Sequence, residues 1–145
     1  MVYQVCLVMC SSQQSSAVAS AADLYISRRF QIDRIYAKNN FDSWFVLSGK
    51  HGLLLPSTLV EPYDLDLKLL SAAERDEWGR GVVKALCEQL PPGDISVEVR
   101  AEVSYYEPLR TPLLAFGFKE VALATGNASY IRYSRLSNRP DASIS

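Results

Sequence analysis

The residues best suited to chemistry gather after one short apolar run. Trp44-Phe45-Val46-Leu47 leads into Ser48-Gly49-Lys50-His51-Gly52, where two glycines bracket a lysine and the single histidine of the chain. Beyond it, Glu61-Pro62-Tyr63-Asp64 adds two carboxylates and a phenol on a loop stiffened by proline. A lysine amine in a partly desolvated cleft can act as nucleophile or base, or stay charged and hold a phosphate. Histidine titrates near neutrality and suits general acid–base work. Asp64 and Glu61 can orient either group or activate water. Each role has a plainer alternative: a solvated loop lysine, a histidine that shapes the loop, an aspartate that caps the segment from Leu65 onward. Gly49 and Gly52 permit a positive φ or the close approach of a ligand.

Other segments supply further candidates. Cys10-Ser11-Ser12 follows the apolar stretch Val2 to Met9, and small hydroxyl residues between a strand and a helix can turn toward an anion or polar ligand. They can equally cap the next helix. Cys10 sits where a nucleophile can sit, without an adjacent base in the sequence. Tyr63, Tyr105 and Tyr106 can stack on a base or simply pack.

These groups need a scaffold. Val2 to Met9 reads as a central strand and Phe41 to Ser48 as a second, since strands covered on both faces are continuously apolar. Ala17 to Tyr25 reads as helix. Ser27 resembles an N-cap for another, with Phe30, Ile32, Ile35 and Tyr36 on or near one face. Ser71-Ala72-Ala73-Glu74 matches a capping box ahead of Trp78, Val82, Leu86 and Leu90 at helical spacing, closed by Pro91-Pro92-Gly93. Ile95 to Val103 alternates like a strand with one wetter face. Leu109, Leu113 and Phe116 share a helical stripe shortened or kinked by Pro112, and Lys119 to Ala124 reads as a fourth strand ending on Thr125-Gly126-Asn127. The order β-α-β-loop-α-β-α-β predicts an α/β fold in three layers, α/β/α, with a mainly parallel sheet of about four strands. Residues 1–125 form a single domain on this reading. Residues 126–145, with Arg132, Arg135 and Arg139 and few core formers, form a tail that moves or docks elsewhere.

Composition narrows the function classes. The 145 residues are 48% hydrophobic and 21% charged, which is globular rather than disordered, and the net charge of −1 provides no global basic field for nucleic acid or membrane. Three cysteines argue against a disulfide framework and suit a reducing compartment, so a cytoplasmic protein is expected. The apolar N-terminal run lacks a basic flank and is too short for a signal peptide or membrane span. A lone histidine and cysteines outside metal spacings predict no metal, and no cofactor motif is present.

Taken together, the motifs resemble an uncharacterised family of small bacterial and phage proteins. They are Cys10-Ser11, Leu24-Tyr25-Ile26-Ser27-Arg28-Arg29-Phe30, Ser48-Gly49-Lys50-His51-Gly52-Leu53-Leu54 and Glu61-Pro62-Tyr63-Asp64, with Tyr105 or Tyr106 after the third strand. Two positions depart from the pattern: Ser12-Gln13-Gln14 replaces a basic residue, and Gly49 replaces an alanine. More remotely the layout is similar to YaaA-type proteins and the archaeosine synthase catalytic core, with an architecture like uracil-DNA glycosylase. That resemblance implies an enzyme acting on a nucleobase, nucleotide or nucleic acid, by glycosidic-bond cleavage or base modification. Lys50, His51 and Asp64 are then the catalytic candidates. Cys10, Ser11, Ser12, Ser48, Gly49, Gly52, Glu61, Tyr63 and Tyr105 are the substrate-binding ones. The alternatives are a non-catalytic nucleotide- or nucleic-acid-binding module, and a subunit that docks, or self-associates, through a sheet edge. No membrane partner is expected.

Overall fold

The computed structural model describes residues 1–122 and 130–137. At its centre is β1 (Val2–Met9), where Val5, Cys6, Leu7 and Val8 are all fully buried. Side chains alternate across a sheet, so an unbroken buried run requires cover on both faces. Around β1 stand β3 (Ser43–Ser48), β4 (Gly52–Leu54), β6 (Asp94–Arg100), β7 (Lys119–Ala122) and β8 (Tyr130–Arg135), in the order β4-β3-β1-β6-β8-β7. β1 pairs in parallel with β3 and β6, whereas β4 on β3, β8 on β6 and β7 on β8 are antiparallel.

The α/β class is as expected, but a mainly parallel sheet of four strands is not what forms. The sheet has six strands and most of its pairings are antiparallel. One added strand is the short hairpin return β4. The other, β8, lies in the segment read as a mobile tail. It is seated between β6 and β7 with Ile131 and Tyr133 buried, while Arg132 faces partly outward and pairs with Glu98. Arg135 lies over the Phe118 ring, 4.7 Å from its centroid. Thr125-Gly126-Asn127, the end of the expected fourth strand, and Arg139 fall outside the described residues.

Helix α2 (Arg28–Asn40) starts where expected, the Ser27 hydroxyl accepting from the Phe30 N–H at 3.2 Å. Its buried face differs from the expected stripe. Phe30, Asp33 and Ala37 face inward, and Ile32 and Ile35 are exposed. A charged network explains the register. Arg100 at the end of β6 donates to Asp33 at 3.0 Å and to Glu98 at 2.7 Å, and Arg132 donates to Glu98 at 2.8 Å. The Arg100 guanidinium lies 4.3 Å from the Tyr36 ring centroid and 5.4 Å from that of Tyr130. Buried carboxylates survive when they are paired and hydrogen-bonded in this way.

Helix α3 (Ala72–Gln89) carries the capping box, Ser71 and Glu74 each satisfying the other's backbone N–H. Helix α4 (Val103–Ala115) begins earlier than its apolar stripe suggests and keeps both Pro108 and Pro112 inside it. The two helices meet where the Gly79 backbone faces the Pro108 carbonyl, which proline at 112 has freed from its usual helical N–H. Segment 17–25 is not one helix. It forms β2 (Ala19–Ser20) and a single turn, α1 (Ala21–Leu24), and β2 pairs with β5 (Leu59–Val60). Among the described residues no helix is long and apolar enough to cross a membrane.

Connections between parallel strands are right-handed. From β1 the chain moves through α2 to β3 on one side, then returns through α3 to β6 on the other. The two crossovers therefore place α2 and α3 on opposite faces. The carboxyl edge of β1 becomes the point where the chain's direction across the sheet reverses, which is where open α/β sheets leave a crevice for ligands.

Candidate functional site

A cleft of about 280 Å³ lies at that edge. Met9 reaches it from the end of β1, Cys10, Ser11, Ser12 and Gln14 from the loop that follows, Glu102 and Tyr105 from the β6–α4 junction, and Tyr63 to Asp66 with Lys68 from the loop after β5. That last loop carries no long element of its own, so its position depends on specific ties. The β2–β5 pair and hydrogen bonds from Ala21 N to Thr58 O and Ala22 N to Pro56 O anchor its base. Gln14 anchors its middle: its Oε1 accepts from the Tyr63 N–H at 2.9 Å, and its Nε2 donates to the Ser11 carbonyl at 3.1 Å. Lys68 closes the far side with an ion pair to Glu102 at 3.6 Å, both side chains about half exposed. Asp66 caps a 3-10 turn (Leu67–Leu69), accepting from the Lys68 N–H.

Two tyrosines form walls, and their hydroxyls are committed internally. Tyr63 Oη lies 2.6 Å from the Tyr25 hydroxyl and 2.7 Å from Ser48 Oγ, which itself accepts from the His51 N–H. Tyr105 Oη sits 3.4 Å from Cys10 Sγ. The Tyr105 ring packs edge-on against Trp78, whose indole N–H donates to the Ser48 carbonyl at 2.8 Å. Burial, and then the neighbouring Cys10 sulfur, raises the pKa values of both Tyr63 and Tyr105 far above the ordinary phenol range, and burial pushes the Tyr25 pKa up to about 12. All three phenols are therefore neutral hydrogen-bonding groups at physiological pH.

Of the residues singled out in the sequence, Cys10, Ser11, Ser12, Tyr63, Asp64 and Tyr105 line the cleft. Ser48 and Gly49 stand behind them. Ser48 is fully buried beneath Tyr63, and a Cβ on Gly49 would come within 3.2 Å of both Leu65 Cδ2 and Tyr105 Oη, so close approach is the reason for glycine there. Gly52 has φ of +74°, the conformation that lets the β3–β4 hairpin close. Lys50 and His51, placed at the centre of the chemistry by their types, are carried on that hairpin turn and are exposed. They meet Tyr63 without joining the cleft lining: the His51 ring lies edge-on at 5.2 Å between centroids and Lys50 Nζ at 5.9 Å. Partial desolvation and the adjacent Lys50 lower the His51 pKa below its usual 6.5. Glu61 is exposed and away from the cleft.

The sequence reading missed Gln14, Asp66, Lys68 and Glu102. Gln14 stands in the stretch that replaces a basic residue, and its amide serves as a brace between loops rather than as a charge. Asp66 and Lys68 follow the Pro-Tyr-Asp motif closely enough to have been included with it. Glu102 offered no local signal. Among the described residues no three His, Cys, Asp or Glu side chains are grouped to hold a metal ion. What the cleft offers instead is two aromatic walls, carboxylates as acceptors, a thiol and one paired amine.

Similarity to known proteins agrees with a family lacking an assigned activity. The uncharacterised protein YfjM of Bacillus subtilis (strain 168) is 36% identical over 63 residues, a span that covers 39% of this chain and 42% of that protein. No solved structure gives a significant match. Residues 5–126 match the model of a family of unknown function (DUF6884), and the chain belongs to that family.

Proposed function

We propose that the protein is a cytoplasmic enzyme that binds a nucleobase-bearing substrate in the cleft after β1 and β6 and cleaves its glycosidic bond or modifies its base. The observation that carries this reading is the presence of Asp64 and Glu102 in one small cleft with the Tyr63 and Tyr105 rings. Aromatic walls suit a planar heterocycle. Carboxylates at its rim suit activation of water, or support of the positive charge that develops on a sugar as its glycosidic bond breaks. Asp64 is the first catalytic candidate, since no other side chain engages it among the described residues. Lys50 and His51 act at one remove, by shaping the outer side of Tyr63. The likeness of motif order to YaaA-type proteins and the archaeosine synthase core points to the same substrate class by analogy.

The test is mass spectrometry of nucleosides, nucleotides and short oligonucleotides incubated with wild type, Asp64→Asn and Lys50→Ala. A free base or mass shift lost in Asp64→Asn and retained in Lys50→Ala supports the assignment. Retention of a ligand without turnover by the wild type favours a binding module, a reading supported by the exposure of Lys50 and His51 outside the cleft.

A further inference from the structure

We infer that the cleft selects an uncharged or cationic ring presenting N–H donors, and keeps phosphate groups outside. The inference rests on the nucleobase reading above and adds the sign and polarity of what enters. It follows from which hydrogen-bonding groups in the lining remain available. Tyr63 offers mainly its ring, and the almost wholly buried Tyr105 adds little to it, because their hydroxyls are spent on Tyr25 and Ser48, and on Cys10. Gln14 is spent at both ends, on Tyr63 and Ser11, and the Ser11 hydroxyl already accepts from the Gln13 N–H. What remains is dominated by acceptors: Asp64, and the lone pairs that Asp66 and Glu102 keep beside the Lys68 N–H and the Lys68 amine, against the one hydroxyl of Ser12. The single cation in the lining among the described residues, Lys68, is already paired with Glu102.

A carboxylate accepts hydrogen bonds and cannot donate them when ionised. An anion entering this space meets like charge from Asp64, Asp66 and Glu102, offset only in part by Lys68. A ring carrying amino or ring N–H groups meets matched acceptors between aromatic walls. Size points the same way: 280 Å³ lies just under the roughly 300–1,000 Å³ of pockets for drug-sized ligands, so it suits one ring system rather than a whole nucleotide.

The experiment is calorimetric titration of wild type, Asp64→Asn and Glu102→Gln with two matched sets. Adenosine and cytidine are compared with their 5′-monophosphates, and benzamidine with benzoate, a cation and an anion on the same ring. The expected result is that the nucleosides and benzamidine bind about tenfold or more tightly than their anionic counterparts, and that both substitutions shrink the gap. If benzamidine outbinds benzoate while no nucleoside binds, the charge selection stands and the nucleobase reading falls. If monophosphates or benzoate bind as tightly as their partners, if the gap is unchanged in both variants, or if nothing binds, the inference is overturned.

Discussion

Removing one oxygen from Tyr63 tests how the site is built. Its hydroxyl joins Tyr25 at 2.6 Å and Ser48 at 2.7 Å, and both partners are fully buried. In Tyr63→Phe the two losses are unequal. Ser48 Oγ still accepts from the His51 N–H at 3.0 Å, so it keeps a partner. Tyr25 keeps only its lesser interaction with the Ser48 hydroxyl, so its buried hydroxyl is left poorly satisfied, and an orphaned buried polar group costs about 1–3 kcal/mol. The expected destabilisation of Tyr63→Phe is therefore about 2 kcal/mol. Tyr25→Phe leaves Tyr63 bonded to Ser48 and loses only the net value of one hydrogen bond, about 1 kcal/mol. The double variant removes the orphan as well as the bond, so it should cost about 2 kcal/mol rather than the sum of about 3.

Urea unfolding followed by tryptophan fluorescence reads this directly, because Trp78 donates to the Ser48 carbonyl and touches Tyr105. With a denaturant slope of about 2 kcal/mol per molar, Tyr63→Phe should lower the midpoint by about 1 M. The reasoning is refuted if the two single substitutions add in the double variant, since additivity would mean that the hydroxyls share no bond. A neutral Tyr63→Phe would refute it equally.

Three further outcomes rest on the same physics. Gly79→Ala should destabilise by about 3 kcal/mol, the upper end for overpacking, because the new Cβ overlaps the backbone carbonyl of Pro108 and the two helices must part; the midpoint of thermal unfolding measures it. Glu98→Gln should cost about 2–3 kcal/mol in urea unfolding, below the 3–5 kcal/mol of a fully buried pair because one partner, Arg132, is half exposed. His51, as the sole histidine, gives one imidazole titration by NMR; its midpoint should lie below 6.5 and rise, but only partway, in Lys50→Gln, since desolvation is the larger cause and remains. The fold holds His51 in its neutral form, so its contribution opposes folding as pH drops below 6.5, and a midpoint above 6.5 would contradict the assigned surroundings.

What the sequence could and could not announce depends on how local each cause is. Ser27 and Ser71 announce their helices because a cap is satisfied within a few residues. Val2 to Met9 announces a central strand because its burial on both faces is written in its own side chains. Strand β8 is hidden by the opposite situation. Only Ile131 and Tyr133 face the core, and the arginines that made the segment look like a tail are held by groups distant in sequence, Glu98 and the Phe118 ring. Asp33 and Glu98 mislead in the same way: each is polar in the sequence and buried in the fold, because Arg100 reaches both.

The site obeys the same rule. Ser11, Ser12, Tyr63, Asp64 and Tyr105 were legible because each follows a strand end or a proline-stiffened turn. Lys50 and His51 stand outside the cleft lining for a geometric reason that residue type does not carry. A two-glycine hairpin such as Gly49 to Gly52 must turn within four residues, and that turn leaves its central side chains in solvent. The same Ser48 that starts the turn holds Tyr63 from below, so the hairpin shapes the cleft through one hydroxyl while its charged tip stays outside. Ser48→Ala should therefore perturb ligand binding more than Lys50→Ala, despite adding no change of charge, and calorimetric titration with any ligand of the cleft will rank the two.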